Sequence, residues 1–521
     1  MNSSAPGQKL PIGIQSFEKM RTEGFVYVDK TPFIASLVEN GSYYFLSRPR
    51  RFGKSLFIDT LDCAFSGRRE LFKGLFLDDP NSKWDWTRKY PVLRIDWSAF
   101  PVRTPDELRA GIFEIIHEWG RKWDCSASEG SLSGNFSHIV RSIYESAGEK
   151  VVILIDEYDK PILDTVEDVQ TAIGMRDILK DFYGVLKSLD PYLKFVMLTG
   201  VSKFVKTGIF SGLNNLNDIT LDSAYSGICG YTEDDISTLF HSWLSKYSIE
   251  QVREWYDGYS WTGEHVYNPF DILLLFSKKV FRPYWFETGT PSFLIKLWSL
   301  HPRFPAEYEG LIAGDDLLGS FDPEHIRLET LLFQAGYLTI KTWSSDPVRG
   351  FTCVLGYPNL EVRTSLNLLF SEALLGYSVS ESRVRLYEIL EGGQVDQVKV
   401  LIESLFASIP YDWYRKNQIS VFESFYASVL YSWFASLGYE IIAEDMTNKG
   451  RIDLTVKTRS GIWIFEFKVS DVPPEKTIAL RQIQSREYVQ KYRADPRRKY
   501  LVGITFDPKS RNIIHFESEI V

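Results

Sequence analysis

Arg48-Pro49-Arg50-Arg51-Phe52-Gly53-Lys54-Ser55 lies between an apolar run, Tyr43-Tyr44-Phe45-Leu46, and a helix-like run, Leu56-Phe57-Ile58-Asp59-Thr60-Leu61. Strand, tight loop, Gly-Lys-Ser and helix follow one another in the order of a P-loop. Such a loop curls backbone N–H groups around phosphate oxygens and aims a helix N-terminus at the anion. Its lysine reaches the outer phosphates and its hydroxyl meets a magnesium ion. Gly53, Lys54 and Ser55 supply the end of the pattern G-x-x-x-x-G-K-[ST], whereas Arg48 stands where the first glycine would fall. Arg48, Arg50 and Arg51 are expected to add cationic donors, and with Phe52, Gly53, Lys54, Ser55 and Leu56 they form the candidate nucleotide-binding stretch. A Gly-Lys-Ser tripeptide alone also occurs in ordinary basic turns, so the rest of the chain decides.

At 521 residues the chain has room for roughly three to four domains of about 150 residues each. A hydrophobic content of 44% with 24% charged residues is that of a globular protein, not a disordered one. The net charge of −9 argues against a surface that coats nucleic acid throughout, so polyanion binding has to rest on local basic patches. The 4 cysteines and 7 histidines are too scattered for zinc or redox spacing, which fits a reducing cytoplasm. No basic-then-apolar leader opens the chain and no stretch approaches a membrane span, so a soluble cytoplasmic protein is expected.

Ile14–Arg21 and Pro32–Glu39 read as helices, with Phe25–Val28 extended between them; Phe25 or Tyr27 could stack on a base, although aromatics at such places more often belong to the core. Beyond the P-loop helix, Pro91–Asp96 reads as a strand and Pro105–Trp119 as a helix, and this alternation favours a parallel sheet. Val151-Val152-Ile153-Leu154-Ile155 has the continuous apolar character of a strand buried on both faces, and it ends in Asp156-Glu157. Carboxylates at that edge lie where open α/β sheets bind ligands. In a P-loop NTPase, Asp156 would hold magnesium and Glu157 would orient or deprotonate the attacking water. Phe195-Val196-Met197-Leu198 ends at Thr199, and Ile219-Thr220-Leu221 reads as a fifth strand. In the additional-strand branch of these NTPases the strand after the acidic one inserts beside the P-loop strand, and its polar end senses the γ-phosphate. Thr199 suits that role, with Ser202 and Lys203 as neighbours.

Several blocks now carry a resemblance: Val-Asp-Lys-Thr at 28–31, Arg48–Ser55, Leu-Ile-Asp-Glu-Tyr-Asp-Lys-Pro at 154–161, Thr-Gly-Val-Ser-Lys-Phe at 199–204, and Phe210–Asp222. With them the chain resembles the bacterial AAA-ATPase-like family, in which an arginine at the first P-loop glycine is usual. The resemblance spans nearly the whole chain. It implies an ATPase domain followed by a C-terminal domain of the PD-(D/E)XK nuclease superfamily, with ATP and magnesium as cofactors.

From Tyr225 to about Pro410 the pattern is mainly helical. Ile326–Gln334 followed by Gly336–Ile340 and Phe351–Leu355 suggests a winged-helix-like piece, whose expected role is packing because it lacks a basic recognition helix. From about Ile419 a second constellation begins. Val421–Leu437 reads as a helix with Glu423 beside its apolar stripe. Gly450–Leu454 and Ile462–Val469 read as a hairpin in which Glu466 and Lys468 face the same way, with Asp453 opposite. Cleaving a phosphodiester needs a hard cation on oxygen ligands, an activated water and a positive charge near the developing phosphorane. Asp453 and Glu466 would bind magnesium, Lys468 would assist the water or the charge, and Glu423 would add a ligand. Glu-x-Lys on a strand is by itself often a solvent-facing ladder. The helix Ala479–Tyr492, with Gln482, Arg481, Arg486 and Lys491, and the following Arg493, Arg497, Arg498 and Lys499 add a basic surface for a phosphate backbone. Asp, Glu-x-Lys and Gln482 match the nuclease superfamily.

The expected architecture is thus an α/β multidomain chain. A P-loop NTPase parallel sheet at 9–224 is followed by a helical lid and winged-helix-like region at 225–410 and a restriction-endonuclease-like α/β domain at 411–521. The expected function is an ATPase whose nucleotide state controls a magnesium-dependent nuclease acting on nucleic acid, with DNA the favoured substrate. A second copy or a protein partner would supply the arginine finger. The alternative is a nucleotide-driven switch or scaffold that binds without cutting.

Overall fold

Tyr43–Ser47 forms strand β1, every residue of which is buried. It joins β2 (Val92–Asp96), β3 (Val151–Asp156), β4 (Leu193–Gly200) and the short β5 (Asn217–Asp218) in a parallel sheet of order β2-β3-β4-β1-β5. β4 lies between the P-loop strand and the acidic strand, the insertion expected of the additional-strand branch. β5 sits two residues before the run Ile219–Leu221. Ile219 N still donates to Phe45 O at 3.0 Å, and beyond it side chains take over: Asp218 Oδ1 accepts from Thr220 N and Thr220 Oγ1 accepts from Ser47 N, each at 3.0 Å.

The computed structural model describes residues 8–126, 130–203, 215–289, 292–300, 303–318, 324, 326–409, 423–470 and 478–521. Phe204 and 210–214, within the blocks quoted above, lie outside the described residues. The chain divides into two compact units, Met1–Gly289 with Leu311–Asn359, and Thr290–Gly310 with Leu360–Val521. Among the described residues no helix is long and apolar enough to cross a membrane.

In the first unit, Val151 to Ile155 are wholly buried. Each such side chain contributes about 1.5–3 kcal/mol of burial free energy, which fixes the acidic strand at the centre of the sheet. The helices Lys54–Phe65 and Leu132–Ala147 pack on that strand. Helix starts are set by side-chain caps, Thr104 for Pro105–Lys122, Ser131 for Leu132–Ala147 and Asp168 for Val169–Gly184. The first expected helix runs Phe17–Thr22 and starts late, because Ser16 is its N-cap. Val26 and Val28 enter an apolar cluster with Tyr256, Tyr267 and Ile272, which ties the N-terminal prelude to the helical segment after β5. The helix Leu328–Gln334 and the hairpin of β7 (Thr339–Asp346) and β8 (Gly350–Gly356) are joined by β6 (Leu311–Gly314) in an antiparallel sheet of order β6-β8-β7.

The second unit is built on a mixed sheet of order β13-β12-β11-β10-β9. Its strands are β9 (Glu440–Thr447), β10 (Gly450–Lys457), β11 (Gly461–Val469), β12 (Arg498–Asp507) and β13 (Asn512–Ile520). Only β11 and β12 run parallel in it. The helix Glu423–Ala435 packs on β9, β10 and β11, and Leu360–Leu375 packs on that helix. The helix expected at Ala479–Tyr492 ends at Ser485; Glu487 takes φ 49°, a left-handed conformation that breaks the α-helical run, and a short 3-10 turn follows at Tyr488–Tyr492.

Candidate nucleotide cleft and candidate nuclease centre

The loop after β1 turns through left-handed backbone at Arg51 (φ 69°) and Gly53 (φ 94°), and Lys54 opens the helix behind it. Glycine suits position 53 because a side chain there would be strained. Outside groups hold the loop's carbonyls. Trp285 Nε1 donates to Arg50 O at 3.1 Å, and Gly230 N donates to Phe52 O at 3.0 Å. The Phe52 ring packs edge-on against Tyr259 and Trp261. Lys54 Nζ donates to Arg48 O at 2.8 Å and Pro49 O at 2.9 Å, so the ammonium rests on the loop's own backbone. Burial pulls its pKa below the usual lysine value, although Asp156 and Glu157 pull it back up.

Arg48 does not join the cationic donors expected at the phosphates. Its guanidinium is wholly buried, donates to the carbonyls of Ser47, Thr220 and Tyr225, and lies 4.2 Å from the centre of the Trp261 ring. Burial lowers its pKa to about 10. The residue at the first-glycine position thus clamps the loop to the segment after β5.

A cleft of about 420 Å³ opens beside the loop. It is lined by Arg50, Arg51, Phe52, Gly53, Lys54, Ser55 and Leu56 from the loop and helix, and by Glu157 and Lys160 from beyond β3. Apolar side chains, among them Met20, Val26, Ile228, Phe270 and Leu273, also line it, as does Tyr27. Phe25 does not line it. Glu157 has φ 53°, and burial raises its carboxyl pKa above the usual range.

Asp156 and Thr199 sit behind this lining, both wholly buried at adjoining strand ends. Thr199 Oγ1 donates to Asp156 Oδ1 at 2.6 Å, whereas the buried Asp156 Oδ2 has no hydrogen-bond partner among the described residues. A buried carboxylate oxygen left bare is costly unless a cation or its water shell meets it, and the Ser55 hydroxyl lies on the helix that packs on β3. These residues therefore fit magnesium-bound triphosphate. Ser202 and Lys203 have other tasks. Ser202 N and Oγ, with Val201 N, donate to buried Asp159, while Lys203 is ion-paired with Asp218 and its N donates to Gln334 Oε1 at 3.1 Å.

In the second unit the β10–β11 ladder runs from Lys457↔Ile462 to Leu454↔Phe465, and one step further would bring Asp453 opposite Glu466. The ladder stops there. Asp453 Oδ2 instead accepts from Phe467 N at 2.7 Å. Glu466 is wholly buried and its Oε1 accepts from Lys468 Nζ at 3.0 Å and from Gln482 Nε2. Gln482 reaches it because the helix Ile478–Ser485 lies directly on β12, where a Cβ at Gly503 would meet Leu480 N at 2.4 Å. Asp453, Glu466, Lys468 and Gln482 are thus brought together. The Glu423 side chain lies outside the described residues.

Among the described residues no group of three His, Cys, Asp or Glu side chains is placed to hold a metal. Asp453 and Glu466 offer the oxygen pair that suits a hard cation, and backbone or water would have to complete it. The expected basic surface is smaller than its residue count. Arg497 is fixed by Asp495 and the Thr458 carbonyl, Lys491 by Asp445 and the Met446 carbonyl, and Lys499 is largely buried. Arg481, Arg486, Arg493 and Arg498 remain exposed.

Sequence reasoning left out the clamp role of Arg48, and also Lys160, Ser98 and the Ile228–Tyr231 wall of the cleft. Lys160 carried a local signal, being three residues after Glu157 in the quoted block. The others carried none, because distant segments bring them in.

Residues 11–210 match the family model described as a predicted AAA-ATPase, and residues 421–516 match that of the PD-(D/E)XK nuclease superfamily. The "uncharacterized protein in vnfD 5'region" of Azotobacter chroococcum mcd 1 is 45% identical over 522 residues, covering 98% of this chain and 99% of that protein. The glycine-lysine-serine turn on a β2-β3-β4-β1-β5 sheet and the Asp453, Glu466, Lys468 hairpin agree with the two matches: the chain belongs to the AAA-ATPase-like family and carries a PD-(D/E)XK nuclease superfamily domain.

Proposed function

We propose that the chain binds and hydrolyses ATP with magnesium in the cleft beside Lys54, and that its nucleotide state controls magnesium-dependent cleavage of nucleic acid, DNA above RNA, at Asp453, Glu466 and Lys468. The observation that carries this reading is that both residue sets are intact in one chain and each is gathered at one place. Lys54, Ser55 and Glu157 share a cleft backed by Asp156, and Lys468 and Gln482 converge on Glu466 beside Asp453.

In the cleft, Ser55 and Asp156 would hold the magnesium ion, which supplies charge neutralisation between the phosphates. Lys54 leaves the carbonyls of Arg48 and Pro49 for the phosphate oxygens, and Glu157, poised by burial to take a proton, orients the attacking water. Thr199 holds the Asp156 carboxylate in its rotamer. At the second site Asp453 and Glu466 would hold a cation that polarises the scissile phosphate, Lys468 assists the water or the developing charge, and Gln482 orients Glu466. Exposed Arg481, Arg486, Arg493 and Arg498 give the phosphate backbone its counter-charges.

A switch or scaffold that binds without cutting is the second reading. It keeps Asp453, Glu466 and the exposed Arg481, Arg486, Arg493 and Arg498 as a binding surface without a cutting step. Assays of the purified chain for ATP hydrolysis and for cleavage of single- and double-stranded DNA and RNA, with magnesium, manganese or chelator, decide between the two.

A further inference from the structure

Phosphoryl transfer needs positive charge on the transferred group as well as on the bound nucleotide, and many NTPases take that charge from a second molecule. The cleft here contains a cation beyond the P-loop. Lys160 lines the cleft together with Lys54, Ser55 and Glu157, but it belongs to the segment after β3, three residues beyond Glu157.

The backbone beneath it is fixed. Lys160 N donates to Glu157 O at 2.9 Å, closing the turn. Asp159, one residue before, is wound into the sheet's edge by Val201 N at 3.0 Å, Ser202 N at 2.6 Å and Ser202 Oγ at 2.7 Å. The stem of Lys160 thus starts from a rigid point while its head is held lightly. Nζ pairs with Asp164 Oδ2 at 2.8 Å one helical turn on, and the side chains are 26% and 38% exposed. A pair of that exposure is worth at most about 1 kcal/mol, so the ammonium is free to change partner when a stronger anion arrives. The other cleft cations either belong to the P-loop stretch itself, as Arg50, Arg51 and Lys54 do, or are paired outside it. Lys30 pairs with Asp235 at 2.9 Å, Arg51 lies 4.8 Å from the centre of the Phe270 ring, and Lys54 belongs to the P-loop. The charge of Lys160 also reaches Glu157, whose pKa is raised first by burial and drawn back by Lys54 and Lys160.

We infer that Lys160 is a catalytic residue for ATP hydrolysis, leaving Asp164 to neutralise the transferred phosphoryl group and so supplying within one chain the cation that an arginine finger brings elsewhere. In that step the water oxygen bonds to the γ-phosphorus as the bond from phosphorus to the β–γ bridging oxygen breaks. The electron pair stays on the ADP oxygen, the water's proton passes to the Glu157 carboxylate, and the Lys160 ammonium keeps its protons throughout. This rests on the proposed ATPase reading of the cleft and removes the need for a partner at this step.

The test uses the full chain with Lys160→Ala, Lys160→Arg and Lys54→Ala. Lys160→Ala is expected to slow single-turnover hydrolysis by about 10³-fold, as loss of a phosphoryl-neutralising cation does. It should bind ATP within a few-fold of wild type, and lose the tightening of ADP binding that aluminium fluoride with magnesium gives the wild type. Lys160→Arg should recover part of both, and wild-type turnover per chain should not change on dilution. Wild-type hydrolysis in Lys160→Ala overturns the inference, as does an unchanged response to aluminium fluoride. Wild type that binds ATP but hydrolyses only when concentrated or with a second protein overturns it too, while the binding reading stands. Equal ATP affinity in wild type and Lys54→Ala overturns both.

Discussion

Thr199 Oγ1 donates a 2.6 Å hydrogen bond to Asp156 Oδ1 across the β3–β4 junction, and both side chains are wholly buried. The bond satisfies one carboxylate oxygen and leaves the other bare. Thr199→Val keeps the shape and removes that donor, leaving Oδ1 with only the Glu157 N–H at 3.1 Å, so the lost hydrogen bond should cost about 0.5–1.5 kcal/mol. Urea unfolding should show that loss in the absence of nucleotide. Magnesium with ATP should restore part of it, because a ligand that binds only the folded state stabilises by mass action.

Arg48 and its neighbours Arg50 and Arg51 should separate in behaviour despite adjoining in sequence. Arg48→Ala removes the donors to the Ser47, Thr220 and Tyr225 carbonyls and the cation over Trp261, so it should lower stability by about 3 kcal/mol or more in denaturant unfolding. Arg50→Ala and Arg51→Ala concern exposed side chains lining the cleft. They should leave the unfolding midpoint within about 0.5 kcal/mol of wild type and weaken ATP binding most at low ionic strength.

Glu157 gives a pH signature. Its folded-state pKa is raised by burial, so the folded protein holds that proton more tightly than the unfolded chain. The sign follows from linkage. The penalty is absent below the unfolded value of 4.5 and grows as pH rises through the folded value. Glu157→Gln removes the charge, so it should be more stable than wild type at neutral pH, with the difference vanishing in acid. The same variant should bind ATP and fail to hydrolyse it. Equal denaturation midpoints at pH 7 and pH 4 for the two proteins would refute the burial argument.

How far the sequence carried depends on whether the determinant was local. β3 was legible because a short run of five branched or long apolar residues, rich in Val and Ile, suits a strand buried on both faces, and Asp156 and Glu157 then fall at its end by chain order. The alternation of Glu466 and Lys468 was legible for the same reason. Arg48 was misjudged because its carbonyl partners at Thr220 and Tyr225 are more than 170 residues away, and no local pattern shows a guanidinium turned inward. Strand β12 was overlooked because Arg497-Arg498-Lys499 drew attention to charge just where an apolar run, Tyr500 to Phe506, begins. Arg497 neutralises Asp495 and holds the turn into that strand while only half-exposed.

The second site offers the sharpest separation of roles. Asp453→Ala removes the carboxylate that both stops the β10–β11 ladder and takes the Phe467 N–H, and Lys468→Ala removes the cation on Glu466. Each should abolish metal-dependent cleavage of nucleic acid by about 10²-fold or more, and neither should alter ATP hydrolysis, since the two sites use no residue in common. Gly503→Ala tests positioning without touching a reacting group. The added methyl would meet Leu480 N at 2.4 Å, so the helix Ile478–Ser485 must lift and carry the Gln482 amide away from Glu466. Cleavage should then fall while binding to the same DNA, set largely by exposed Arg486, Arg493 and Arg498 beyond that helix, changes less and keeps its salt dependence. If the wild type binds DNA yet neither magnesium nor manganese supports cleavage of any substrate, Asp453→Ala will be indistinguishable from it, and the domain's work is binding.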